Sequence, residues 1–243
     1  MMKNVSLRSY RICACAAVAI AVSGAAVSAG ADEIVLQHGN RPDASYVQNA
    51  TSIASEYPVS TARATGDLLV GNNKAGSSYR ALLDFDLSAI PAGAEIQSVS
   101  LRMMQSADPN TEGGAKVTVE VYLFNGTIDE KSSCWKSAEG KTGALLQTSE
   151  VELLSGQQSK DRIFKTSTEL AGAVQEALKA GTKLNLVVKL KDENFIGRRL
   201  VMFRGNEYTS AASRPSLTVS YKPATVIGAF RTVNCGDRLY AAN

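Results

Sequence analysis

Two segments far apart in the chain constrain its fold most: SYRALLDFDLSAIPAGAEIQSVSLRM at 78–103 and FRGNEYTSAASRPSLTVSY at 203–221. The first reads as a strand, a Pro/Gly turn and a second strand; the second reads as a closing strand after Arg214-Pro215. Pro91 presets the turn backbone, and Gly93 tolerates the positive φ that such a turn needs. The apolar residues recur with a period of two. Leu83, Phe85 and Leu87 share one side. Val99, Leu101 and Met103 oppose Ser98, Ser100 and Arg102, and Val117, Val119, Val121 and Leu123 oppose Thr118, Glu120 and Tyr122. KLNLVVKL at 183–190 and RRLVMFR at 198–204 have the same character. Half-buried strands recurring in this way predict an all-β fold, an antiparallel β-sandwich of jelly-roll type. One short helix interrupts them. Thr166 followed by Glu169 forms a capping-box pattern, Leu170, Val174, Ala177 and Leu178 recur at helical spacing, and Gly181 ends the element.

The amino terminus has the character of a secretory leader. Lys3, Arg8 and Arg11 precede an apolar run from Ile12 to Val22, and small residues follow to Ala29-Gly30-Ala31. Cleavage after Ala31 divides the chain into a signal peptide at 1–31, a sandwich domain at 32–222 and a carboxy-terminal extension at 223–243. The full chain carries 26 basic and 23 acidic residues. Removing the three leader cations leaves the remainder neutral, which argues against nucleic acid as a partner. No segment after the leader is long and apolar enough to span a membrane.

Four cysteines are present, of which Cys13 and Cys15 fall in the leader. Cys134 and Cys235 remain, and an oxidising compartment favours their pairing as a disulfide, the alternative being two buried thiols. With His38 the only histidine and no Cys-x-x-Cys spacing, neither a zinc site nor a thiol-redox site is expected.

Several stretches in order carry a resemblance: Asp43-Ala44-Ser45-Tyr46-Val47, Arg80 through Asp86, Ile90-Pro91-Ala92-Gly93-Ala94-Glu95-Ile96, and Phe203 to Tyr221. Over roughly 41–222 the chain resembles the DNRLRE-type domain, also called carbohydrate-binding module family 96. That family usually carries Trp-x-Glu followed closely by Thr-Trp. Here the region reads Ile128-Asp129-Glu130 and Cys134-Trp135, so the glutamate and the second tryptophan persist. The family's common Asn-x-Gly stretch is replaced around SEYPVS at 55–60. The resemblance implies a secreted sandwich, often an accessory module of polysaccharide-degrading enzymes or a part of cell-surface proteins, some members binding acidic polysaccharide such as alginate.

A catalytic role is not expected. His38 lies close to the expected mature start, in a stretch read as frayed, and a nucleophilic triad needs its histidine deep in a site. Asp84, Asp86, Glu130 and Glu207 are the carboxylates a glycosidase would draw on, but Asp84 and Asp86 share an outer strand face with Arg80 and Leu82 and read as ion-pairing or turn-capping groups. Glu207 reads as a brace for the loop before Arg214-Pro215. No cofactor is assigned; a structural calcium, which takes six to eight oxygen ligands, would be sought first at Asp43, Asp67 and Glu207.

The expected partner is therefore an extracellular polysaccharide or cell-surface glycan. Aromatic residues are only 6% of the chain, which favours an acidic polymer gripped by cations over a crystalline neutral one. The candidate ligand-binding residues are Arg80, Arg102, Lys189, Lys191, Arg198 and Arg204, with Arg80 also read as a structural partner of Asp84 or Asp86. Lys189 and Lys191 share a strand face, as do Arg198 and Arg204, so a cationic stripe is geometrically open. The alternative is a structural or adhesive envelope protein with no sugar ligand, which would present an apolar patch or an unpaired strand edge instead of a groove.

Overall fold

A computed structural model describes residues 30–60, 66–111, 113–195 and 197–224. The expected leader up to residue 29, Cys235 and nearly all of the carboxy-terminal extension lie outside the described residues. Among the described residues eleven strands form one antiparallel sheet folded on itself, a sandwich-like arrangement in which nine follow one continuous path and two pair beside it. In the first layer β1 (Asp32–Gln37) pairs β11 (Ser216–Lys222), β11 pairs β5 (Glu95–Ser106), and β8 (Ser159–Phe164) lies on the other side of β5. In the second layer β2 (Ala50–Ala54) pairs β4 (Ser78–Phe85), followed by β9 (Leu184–Leu190), β6 (Lys116–Phe124) and β7 (Thr142–Glu152). Paired strands β3 (Asp67–Asn72) and β10 (Arg199–Arg204) join the layers, β10 reaching β5 and β3 reaching β4.

The alternation read from the sequence sets the interior. Val99, Leu101 and Met103, Val117, Val119 and Val121, and Leu83, Phe85 and Leu87 all enter one buried cluster, with Leu123 packed against it. Each fully buried aliphatic side chain of this kind contributes roughly 1.5–3 kcal/mol. The 86–94 turn is an arch, because β4 and β5 belong to different layers. Ile90 N–H donates to Leu87 O at 2.9 Å and Ala94 N–H to Pro91 O at 3.1 Å, while Leu87, Ile90 and Ala94 fill the core beneath. Where β3 meets β10, Gly71 has φ 128°, and a Cβ there would come within 1.9 Å of Arg199 O, so only glycine allows the approach.

The helix is present as α2 (Thr168–Ala180), after the single helical turn α1 (Trp135–Ala138), with one correction to its start. Ser167, not Thr166, is the N-cap: its Oγ accepts from Leu170 N–H at 3.0 Å. Thr166 is drawn away because its hydroxyl binds the β5 backbone, accepting from Val99 N–H at 3.0 Å and donating to Val99 O at 2.6 Å. Gly181 closes the helix in the left-handed conformation at φ 63°. Leu170 and Val174 point into the core, and Gln175 bonds Ile96 N–H and Ala94 O, so the helix bridges the end of the sandwich.

Candidate functional site

The outside of the second layer is not the open polar face that alternation alone predicts. Ile53 on β2, Leu82 on β4, Val187 on β9 and Phe124 on β6 point outward and are buried, together with Ile128 and Ala138, while Tyr122 and Trp135 pack against them half-buried. The segment after β6 folds back over the sheet because this apolar row must be covered. It is pinned by polar contacts. Asn185 Nδ2 donates to Gly126 O at 2.7 Å, Ala50 N–H donates to Glu130 Oε1 at 2.8 Å, and Lys136 N–H donates to Pro58 O at 2.8 Å. A single helical turn, α1 (Trp135–Ala138), follows Cys134, whose N–H donates to Ser137 Oγ at 2.9 Å.

Beside this cover lies a row of paired charges and aromatic rings. The Ala81–Val188 register places Arg80 next to Lys189, and Lys189 stands opposite Glu120. The Arg80 guanidinium lies 4.3 Å from the Trp135 ring centre and forms a fork with Glu193, Nε to Oε1 and Nη2 to Oε2 each at 2.7 Å. Lys189 Nζ is 3.7 Å from the same Glu193 Oε2 and 5.1 Å from the Tyr122 ring centre. Tyr122 donates to Glu120 Oε2 at 2.7 Å; burial first, then this hydrogen bond, pushes its pKa up to about 12. Leu145, opposite Tyr122 on β7, is 42% exposed, and Tyr57, next to the Pro58 that α1 contacts, is 57% exposed. Farther along the same face Lys191 is exposed and lines, with Lys116, Thr118 and Arg199, a cleft of about 380 Å³.

The six cations proposed from the sequence therefore occupy separate places. Arg80 and Lys189 meet at Glu193, and Lys191 follows just past the end of β9 at Leu190. Arg102 pairs Asp161 at 2.8 Å and donates to Ala212 O at 2.6 Å. Arg204 donates to Ser213 Oγ at 3.1 Å and stacks 4.1 Å from the Tyr208 ring, beside the 3-10 turn Ala211–Ser213. Arg198 forks onto buried Asp108, at 2.6 and 2.8 Å, and so fixes the turn after β5. Strand alternation predicts Arg198 and Arg204 on one face, but Arg198 lies just before β10 and Arg204 at its far end, with unrelated partners. Arg80 pairs neither Asp84 nor Asp86, because Glu193, far along the chain, is delivered to it by the turn after β9.

The carboxylates are committed to the backbone. Asp84 is 1% exposed, accepts from Asn49 N–H at 2.9 Å and Nδ2 at 2.7 Å, and faces Lys183 Nζ at 3.1 Å. Its strand face was expected to be exposed and is instead covered. Asp86 accepts from Ser88 N–H at 2.8 Å, which holds its pKa low and caps the following turn. Glu207 is exposed, and the loop it was expected to brace is held instead by Arg214 Nε donating to Tyr208 O at 3.0 Å. Asp43 is held below the usual carboxylate range by the Ser45 hydroxyl and N–H, whereas burial raises Asp67. No group of three or more His, Cys, Asp or Glu side chains among the described residues is placed to hold a metal ion, Asp43, Asp67 and Glu207 included. His38 is not frayed: β1 is paired along its whole length, and His38 Nδ1 accepts from Gln48 N–H at 3.1 Å. Cys134 is half-exposed, and its proposed partner Cys235 is outside the described residues.

Glu193 escaped the sequence reading because it sits in the DENFIG turn, where no periodicity marks it. Tyr122 was readable as outward-facing, but nothing local showed that Trp135 would fold back beside it. Among the described residues, no helix is long and apolar enough to cross a membrane.

A comparison with curated proteins returns no match. Among solved structures, the chain aligns with "Structure of infectious bursal disease virus Gx strain" at 12% identity, over 79% of this chain and 37% of that one, with a TM-score of 0.20. The chain thus spans little more than a third of that viral protein, and a likeness so slight adds nothing to the fold described above. The family model of carbohydrate-binding module family 96 matches residues 40–156, the stretch holding β2 to β7 and the Trp135 segment. That match supports the resemblance to carbohydrate-binding module family 96 read from the sequence.

Proposed function

We propose that this is a non-catalytic, exported protein that binds a polysaccharide on the outer face of its second layer, around Trp135, Arg80, Lys189 and Tyr122. The observation that carries this reading is Trp135 itself, half-exposed and stacked 4.3 Å from the Arg80 guanidinium. Sugar rings present faces of C–H groups that pack on indole and phenol rings, and their hydroxyls bond to planar charged groups beside those rings. The fork to Glu193 and the contacts under the 125–141 segment hold these groups in place before a ligand arrives, which lowers the ordering cost of binding. The family match supports a carbohydrate as the ligand class.

The finer features rest on narrower support. An acidic polymer would find its cations in the cleft of Lys191 and Arg199 at the end of β9, which Asp192 also lines and where Lys116 is paired with Glu150 at 2.8 Å. Export is supported by the leader-like sequence before β1, which begins at Asp32, directly after the proposed cleavage position. A non-catalytic role is supported by the commitment of Asp84, Asp86 and Glu130 to backbone or ion-pair partners. Affinity electrophoresis of the protein and of Trp135→Ala through gels containing neutral and acidic polysaccharides tests the reading. At least one polymer should retard the protein and release the variant. Equal migration of both in every gel would overturn it and favour an envelope role, for which strand edges such as β7, paired among the described residues only to β6, offer a surface.

A further inference from the structure

We infer that Glu193 is a built-in substitute for a ligand carboxylate and sets the charge selectivity of the Trp135 end of the face. The inference rests on the proposed glycan-binding reading and adds to it which sugars that end accepts. Two cations meet there, Arg80 and Lys189, and Glu193 faces both. Its oxygens take the Nε and Nη2 edge of the guanidinium at 2.7 Å, the edge that a uronate or sulfate would otherwise occupy bidentately. Its Oε2 also lies 3.7 Å from Lys189 Nζ. The three side chains are only 15–20% exposed, so the network is mostly withdrawn from water and weakly screened.

Glu193 is not a mobile surface group that a ligand could push aside. The carbonyl oxygen of its own residue accepts from Asn72 Nδ2 at 2.8 Å and Ser78 Oγ at 3.3 Å, and Asn72 is fully buried. The turn is thereby tied to β3 and β4, and the carboxylate is held where it already satisfies Arg80. Glu120, bonded by Tyr122, supplies a second negative charge on the same face. Arg80 and Lys189 are thus matched by Glu193 and Glu120, so this pair of cations offers no net positive charge to an anion. An incoming carboxylate would have to displace a pre-organised one. The aromatic end accordingly takes an uncharged sugar unit, and any anionic group on the polymer is left to Lys191 and its cleft, beyond the reach of Glu193's pairing.

Dextran and dextran sulfate, which share a backbone and differ in charge, probe this directly. Retention on immobilised dextran sulfate over a salt gradient is compared for the intact protein, Glu193→Gln and the double variant Glu193→Gln/Lys189→Ala, with thermal melts to verify folding. Removing the internal anion should tighten dextran sulfate binding by roughly five- to tenfold at low salt and move elution to higher salt. Binding to uncharged dextran should not strengthen, and the Lys189→Ala change should remove only part of the gain, the larger part belonging to the Arg80 fork. Unchanged elution of folded Glu193→Gln, or an equal gain on uncharged dextran, overturns the inference. The proposed glycan function fails by a different result, equal migration of intact protein and Trp135→Ala in every polysaccharide gel, which leaves the Glu193→Gln comparison readable.

Discussion

Leu82 and Leu83 are neighbours on β4, both fully buried, yet they belong to different hydrophobic clusters on opposite sides of one sheet. Leu83 faces the interior shared by both layers, where strands, arch and helix all contribute. Leu82 faces outward and is covered by the segment that follows β6, with Phe124, Ile128 and Ala138 around it and Trp135 at its rim. The inner cluster holds the sandwich together. The outer one is a small satellite core whose service is to seat Trp135 beside Arg80. The proposed ligand surface is therefore supported by its own packing, separable from the packing that makes the fold.

That separation predicts unequal consequences. Leu83→Ala should cost about 3–5 kcal/mol and lower the melting temperature of the whole molecule, since an interior cavity among strands from both layers has little room to collapse. Leu82→Ala should cost less, about 2–3 kcal/mol, because the covering segment can settle into the gap. Its distinguishing sign is a change in Trp135 emission well below the global melt. Equal costs with a single coincident transition would merge the two clusters into one cooperative unit.

Trp135→Ala sharpens the contrast from the other side. Glycan binding should fall by roughly ten- to a hundredfold, while the melting temperature moves by only a few degrees, the ring being at the rim of the cluster. Ser167→Ala tests the inner region's helix. Loss of the cap should cost about 1 kcal/mol with glycan binding untouched, and Glu169→Ala should cost clearly less, because the observed cap is Ser167.

The smallest effect concerns Asp108. Burial raises its pKa, but the Arg198 fork, the Thr111 hydroxyl and the Asn110 N–H outweigh burial and leave it lowered. A carboxyl with a depressed folded-state pKa adds stability above its unfolded value of about 3.9 and loses it as the pH falls through the folded value. Denaturant titrations between about pH 5 and 2 should therefore show a shallower decline in Asp108→Asn than in the intact protein. Glycan binding should not follow that difference, since Asp108 and Arg198 lie away from the Trp135 row.

How far the sequence foretells this molecule follows from the same contrast. Alternation in VSLRM and KVTVEVYLF names the inner residues because one face of each strand is buried against the other layer, a constraint with a period of two. The outer cluster breaks that rule. Leu82 and Val187 are apolar on the face expected to be polar, and only the fold-back of a loop without periodicity explains them. The cations follow suit. Arg80 has two carboxylates within six residues, yet its partner is Glu193, because β4 and β9 are adjacent in space and the turn after β9 overhangs them. Arg102 and Arg198 likewise find Asp161 and Asp108 through tertiary contacts that no local spacing reveals. The helix misses by one residue for a similar reason: Thr166 has a better partner in the β5 backbone.

Trp135 is the only tryptophan in the chain, so its fluorescence reports on the proposed site without labelling. Titration of the intact protein with the polysaccharide that retards it most in affinity gels should shift or quench that emission saturably, with a dissociation constant matching the gel. Saturable binding that leaves Trp135 emission unchanged would place the ligand elsewhere and contradict the account.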